Sequence, residues 1–127
     1  MKTGIITAVA LGGSIGSVAR YFMSTIQSPA WTGFPYAIFI VNVSGGFLMG
    51  VVTELMALKL NLSLEMRAFL TTGILGGYTT FSTFSLESAV LIQRGAYVTA
   101  TSYVVGSAVV SIVALFAGLW IVRALYA

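Results

Sequence analysis

The chain has 127 residues, of which 58% are hydrophobic and only 7% are charged. This composition excludes a water-soluble globule and indicates an integral membrane protein with lipid as its solvent. The net charge of +3 comes from single residues dispersed near the ends of apolar stretches, which argues against nucleic-acid binding. The sequence contains no Cys and no His, which excludes thiol chemistry, disulfides and the commonest transition-metal ligands.

Four apolar stretches are each long enough to cross the hydrocarbon layer as a helix, which takes about 20 residues. The first connection, QSPAWTGFP, contains both prolines and Trp31, and it predicts a turn at the level of the lipid headgroups. The N-terminus lacks the pattern of a cleaved signal peptide, so the first stretch is expected to be a mature span. The sequence predicts one all-α transmembrane domain over residues 1–127, with spans near 4–26, 35–58, 66–93 and 97–125.

The basic residues give only a weak signal for orientation in the membrane. With four spans, both termini and the second connection share one side. Orientation follows the excess of Lys and Arg in short loops, so a small difference predicts insertion both ways. The two sides hold four and two basic residues, Lys2, Lys59, Arg67 and Arg123 against Arg20 and Arg94.

Pairs of glycines at G-x-x-x-G spacing recur along the chain and predict close helix packing, because lipid provides no hydrophobic drive for helix association. Four short glycine-rich helices leave little interior for a passage of their own, whereas a homodimer interface could supply one. The pairs are Gly12 with Gly16, Gly46 with Gly50, and Gly73 with Gly77.

Polar residues inside the predicted spans are candidates for function. Asn42 in FIVNVSGG needs a partner or a water-filled cavity, because an unpaired amide in hydrocarbon is costly. Arg20 has two interpretations, a side chain that extends to the interface and a functional cation. Glu87 has three, a salt-bridge partner, a proton carrier and a hydrogen-bond acceptor that orients a helix. On the fourth span, hydroxyls recur every four residues, at Thr99, Tyr103, Ser107 and Ser111.

The segment GGYTTFSTFSLE, residues 76–87, predicts a break in the third span. Gly76-Gly77 followed by the β-branched Thr79 and Thr80 is a poor helix-forming run, so the third span is expected to break within it, near mid-membrane. A break frees backbone groups, which hydrocarbon tolerates only when protein, water or an ion engages them. Free carbonyls can bind a hard cation, whereas hydroxyls and phenyl edges can face an anion.

The sequence resembles the Fluc fluoride channels, also called the CrcB family, over its full length. The motifs that carry the resemblance are GGSIGSVARYFMS in the first span, VNVSGG in the second and GGYTTFSTFSLE in the third. The resemblance implies an antiparallel, dual-topology homodimer in the bacterial plasma (inner) membrane. It also implies a channel and not an enzyme, with two passive fluoride pathways per dimer and a central structural sodium ion.

The resemblance also implies roles for individual residues. Backbone carbonyls of Gly76 and Thr79 from both subunits would hold the sodium ion, and Arg20 would be a vestibule cation. Glu87 matches a family carboxylate without an assigned role. The implied fluoride pore consists of Asn42, Phe81, Phe84, Ser82, Thr83, Tyr103, Ser107 and Ser111.

Two sites depart from the family pattern: Ala37-Ile38 stands where Gly-Thr is common, and Tyr78 stands where Leu is common.

Two other classes of membrane protein remain as alternatives. A small dual-topology, proton-coupled multidrug exporter would also be a four-span dimer, but it would carry a carboxylate in its first span, where this chain has none. A non-transporting assembly protein has no use for a broken, hydroxyl-rich span.

Overall fold

A computed structural model describes residues 2–27 and 33–127 of the chain, and in these residues every regular element is a helix. The predicted headgroup turn falls mainly on residues 28–32, so Pro29 and Trp31 lie outside the described residues. The elements are α1 (Lys2–Thr25), α2 (Tyr36–Leu58), α3 (Leu64–Ala68), a π-helix (Phe69–Leu75), α4 (Gly76–Tyr78), α5 (Ser82–Gln93) and α6 (Tyr97–Tyr126).

Three of these helices, α1, α2 and α6, are long and apolar enough to cross a membrane. Their ends lie within two residues of the predicted spans 4–26, 35–58 and 97–125, because in each case a predominantly apolar stretch of membrane length sets the helix. The segment predicted as the third span is a chain of shorter helices over 64–93, and we call it the broken segment. Its π-helix was not predicted.

The break lies within the predicted run, at its two threonines and not at its two glycines. Gly76 and Gly77 are helical in α4, and the chain leaves the helix only at Thr79, where ψ is 158°. Gly77 has a packing role instead of a hinge role, since a Cβ there would lie 2.7 Å from the carbonyl oxygen of Gly13 in α1. We call residues 79–81, between α4 and α5, the break.

Glycines allow the helices to approach so closely that their main chains touch, as the spacing predicted. A Cβ on Gly12 would lie 2.9 Å from the Cα of Gly73 in the π-helix, so α1 and the broken segment touch through their main chains. A Cβ on Gly46 would lie 2.8 Å from the carbonyl oxygen of Ser111, so α2 and α6 touch in the same way. Such contacts set the distance between helices tightly.

Helices α2 and α6 run in the same direction. Gly46 faces Ser111, and one turn further Gly50 faces the carbonyl of Leu115, so the residue numbers rise together along both helices. Their first turns pack around Tyr103, which is fully buried in a cluster with Ile38, Leu91 and Ala100. A tight connection at Arg94-Gly95 joins α5 to α6, with φ of 74° at Gly95.

Candidate functional site

A groove of about 530 Å³ lies between α2, the break and α6. No charged side chain lines it in the described part of the chain, although the wall includes an amide, hydroxyls, backbone carbonyls and phenyl rings. The groove brings together seven of the residues predicted for the site: Asn42, Gly76, Thr79, Phe81, Phe84, Ser107 and Ser111.

Asn42 on α2 forms two hydrogen bonds with the main chain of the break. Its Oδ1 accepts a hydrogen bond from the backbone N–H of Thr80 at 2.9 Å, and its Nδ2 donates to the carbonyl oxygen of Thr80 at 3.0 Å. One side-chain amide thus binds both the N–H and the C=O of Thr80, as the backbone of a neighbouring strand does in a β-sheet. The hydroxyl of Thr80 in turn accepts from the N–H of Thr83 at 3.2 Å, which caps the start of α5.

The backbone carbonyls near the break differ in whether they have a hydrogen-bond partner. Arg20 of α1, which is half-buried, donates from Nε to the carbonyl oxygen of Gly77 at 3.2 Å, so it binds the end of α4, where the helix dipole favours a cation. By contrast, within the described residues no group donates to the carbonyl oxygens of Gly76 and Thr79. Both residues line the groove.

The two phenylalanines of the motif form a tilted pair on the groove wall. Their ring centroids lie 5.6 Å apart, and Phe84 also contacts the ring of Tyr103 at 5.2 Å. Phe81 is 79% exposed, so it does not belong to the interior of a single chain. Its ring lies where the groove meets the surroundings of the chain.

Two hydroxyls on α6 have buried oxygens and no hydrogen-bond partner among the described residues, those of Ser107 and Ser111. Most hydroxyls elsewhere in the helices bond a carbonyl of the preceding turn, as Ser88 does with Phe84 at 2.7 Å. Since buried polar groups without partners are rare and costly, unpartnered hydroxyls in a groove wall indicate a site for a ligand or for water.

Five predicted site residues do not line the groove: Arg20, Ser82, Thr83, Tyr103 and Glu87. The hydroxyl of Tyr103 donates to Oε2 of Glu87 at 2.8 Å, so the contact shown for Glu87 is that of a hydrogen-bond acceptor. Glu87 also borders a second cavity of about 220 Å³, which Arg94 lines as well. Tyr103 contacts Phe84, which lines the groove, and Glu87, which lines this cavity.

Sequence reasoning missed two features of the site and its support. It assigned no role to Thr80, whose backbone is the centre of the break. It also missed the ion pair in which Nε of Arg123 lies 2.9 Å from Oε1 of Glu54, a carboxylate buried against α6. A signal for this pair was present, because an acidic residue inside an apolar helix needs a partner.

The family comparison agrees with this geometry. The CrcB family, described as CrcB-like protein, Camphor Resistance, matches residues 7–119. The chain belongs to the CrcB family. Proteins named fluoride-specific ion channel FluC are similar over nearly their whole length: one from Agrobacterium fabrum is 49% identical over 122 residues, which are 95% of this chain and 98% of that protein. A second, from Nitrobacter winogradskyi, is 48% identical over 125 residues, which are 97% of this chain and 98% of that protein.

As a CrcB protein, the chain is a multi-pass membrane protein from a family of ion channels and not of enzymes. A further relative, the fluoride-specific ion channel FluC of Caulobacter vibrioides, is 48% identical over 124 residues, which are 94% of this chain and 95% of that protein. The departure from the CrcB pattern at Tyr78 has a structural consequence. Its hydroxyl lies 3.0 Å from that of Ser44, which ties α4 to α2 beside the break.

Proposed function

We propose that the protein is a passive, fluoride-selective ion channel that lets fluoride leave the bacterial cytoplasm and so reduces its toxicity. The observation that carries this proposal is the composition of the groove, which combines an amide, unpartnered hydroxyls and phenyl rings without a charged side chain. The names of the relatives support fluoride as the ion.

The chemistry of this wall suits fluoride. Fluoride is small and holds its water strongly, so a pathway must replace those waters with several donors while binding the ion loosely enough to release it. Hydroxyl and amide donors, with the positive edges of Phe81 and Phe84, offer such contacts without a fixed cation that would trap the anion. Ser82 and Thr83 are proposed to extend this donor set beyond the groove, whereas Tyr103 contributes through its ring contact with Phe84, since its hydroxyl donates to Glu87. Arg20 is proposed to attract anions from a vestibule outside the groove.

We further propose that the broken segment is the third of four spans, with the break near mid-membrane, and that two chains form an antiparallel, dual-topology homodimer with two pores. The exposure of Phe81 supports this arrangement, since a second copy of the chain would cover the ring and close the groove. The small difference in basic residues between the two sides supports both orientations.

The dimer is proposed to hold a structural sodium ion on its axis. The carbonyl oxygens of Gly76 and Thr79 fit this role, because no described group donates to them and unwound backbone at a helix break offers hard oxygen ligands. The described residues contain no cluster of acidic side chains that would instead hold a divalent metal. Bound there, sodium would supply positive charge that balances the carbonyl dipoles of the break.

The experiment that tests the channel is fluoride efflux from proteoliposomes, followed with a fluoride electrode. We expect rapid release only when a potassium ionophore balances charge, as passive conduction requires, with chloride released far more slowly. Release no faster than from protein-free liposomes would contradict the proposal. Export of organic cations driven by a proton gradient would support the multidrug-exporter alternative, and the absence of any transport would favour an assembly protein.

A further inference from the structure

One peptide group at the break contains both a carbonyl proposed to bind sodium and an N–H that binds Asn42. It consists of the carbonyl of Thr79 and the N–H of Thr80, and its N–H donates to Oδ1 of Asn42. Peptide bonds here are trans, as no cis bond occurs in the described chain. In a trans peptide the N–H and the C=O point in opposite directions. The bond to Asn42 therefore turns the Thr79 carbonyl away from α2.

The second contact fixes the position of Asn42 against the break. Nδ2 of Asn42 donates to the carbonyl of Thr80 in the next peptide group, so the side chain is anchored, and rotation of the Thr79–Thr80 peptide would break the bond of the Thr80 N–H to Oδ1. On the other side, both the N–H and the hydroxyl of Thr79 donate to the carbonyl of Leu75, at 3.1 and 3.0 Å. The Thr79 carbonyl is thus held from both directions and has no partner of its own among the described residues.

We infer that Asn42 is a positioning residue for the cation site, in addition to its place in the groove. It orients the Thr79 carbonyl through the shared peptide plane without touching the cation. This inference rests on the sodium site proposed above. Its consequence is that sodium affinity and the geometry of the groove are coupled, because a single side chain on α2 serves both.

Sodium binding without fluoride tests the inference. The measurement is the thermal unfolding midpoint of the purified dimer against sodium concentration, with N-methylglucamine as the replacement cation. We expect Asn42→Leu, which loses both contacts, to need about tenfold more sodium for half-maximal stabilisation. Asn42→Asp keeps the acceptor for the Thr80 N–H and should need no more sodium than the wild type, although fluoride flux falls. Ser88→Ala is the control, since its hydroxyl bonds the carbonyl of Phe84 and lines no part of the groove, and it should leave the sodium midpoint unchanged.

Coupling also predicts a result for the wild-type chain alone. Because linkage is reciprocal, removing sodium should speed hydrogen exchange at the Thr80 amide, and this measurement stands even when Asn42→Leu fails to form a dimer. A wild-type dimer that does not respond to sodium would overturn the cation site itself. A wild-type dimer that responds, with Asn42→Leu responding identically or with Thr80 exchange unchanged by sodium, would overturn only the role of Asn42.

Discussion

Arg123 on α6 donates from Nε to Oε1 of Glu54 on α2 at 2.9 Å, across 69 residues of chain. The carboxylate side chain is 9% exposed and the arginine is 57% exposed, so Arg123 covers a buried charge at the end of the two helices. Because α2 and α6 run in the same direction, this pair and the contact of Gly46 with Ser111 together set their register.

The ion pair leads to a first prediction. Arg123→Leu should lower the stability of the purified protein by about 2 kcal/mol, because it leaves the Glu54 carboxylate buried without a partner. The double variant Glu54→Gln with Arg123→Leu should recover part of that loss. Thermal unfolding measures both. Arg94→Leu, which removes an exposed arginine without a carboxylate partner in the described chain, should change little; an equal loss there would contradict the argument.

The contact between α1 and the broken segment leads to a second prediction. Gly16→Ala places a methyl group against the backbone carbonyl of Ile74 and 2.7 Å from the backbone N of Tyr78, where nothing flexible can yield. Expression and dimer recovery should fall sharply. Gly13→Ala is the matched control on the same helix, because its Cβ meets nothing within 4 Å. Equal behaviour of the two variants would show that the helices do not meet this way.

The unpartnered hydroxyl of Ser107 on α6 gives a prediction that distinguishes a role in transport from a role in packing. Ser107→Ala removes a buried hydroxyl that costs stability, so thermal stability should stay level or rise while fluoride flux falls by about tenfold. Ser88→Ala is the control, because its hydroxyl bonds the carbonyl of Phe84 and lines no part of the groove. It should leave flux near wild type. If Ser107→Ala conducts normally, the hydroxyl does not serve the ion.

The exposed ring of the motif gives a prediction on the anion contact. Phe81→Ile keeps apolar bulk but removes the positive ring edge, so flux should fall by at least about tenfold. Because the side chain is 79% exposed in the single chain, the fold should survive. Fluoride efflux is measured beside size-exclusion profiles. A well-folded dimer with nearly wild-type flux would end the argument for phenyl edges as fluoride contacts.

Dual topology is tested with single cysteines, which are unique because the natural chain has none. Asn61, three residues before the broken segment, and Gln93, its last residue, are both exposed. A cysteine at either position should be labelled partly from outside the cell and only completely after permeabilisation. The physical reason is the small difference in basic residues between the two sides. Labelling of each position from one side alone, in every molecule, would contradict this prediction.

Much of the fold followed from local properties of the sequence. Predominantly apolar stretches of membrane length set the ends of α1, α2 and α6, because the thickness of the hydrocarbon layer is the same for every helix. The glycine pairs predicted the close contacts, since only glycine allows backbones to approach that near. Seven predicted site residues meet in one groove because the helix register places them together.

The position of the break was decided by a partner far away in the chain. Local propensity indicated the run from Gly76 to Thr80 as a whole, and within it the helix opens at the threonines, because in an apolar setting freed backbone groups need hydrogen bonds. Asn42, 38 residues from Thr80, provides them. The partners of Glu54 and Glu87 were likewise set by which helices pack together. Composition and periodicity thus determined the membrane setting, the long helices and their glycine contacts, whereas tertiary structure alone decided which side chain satisfies each buried polar group.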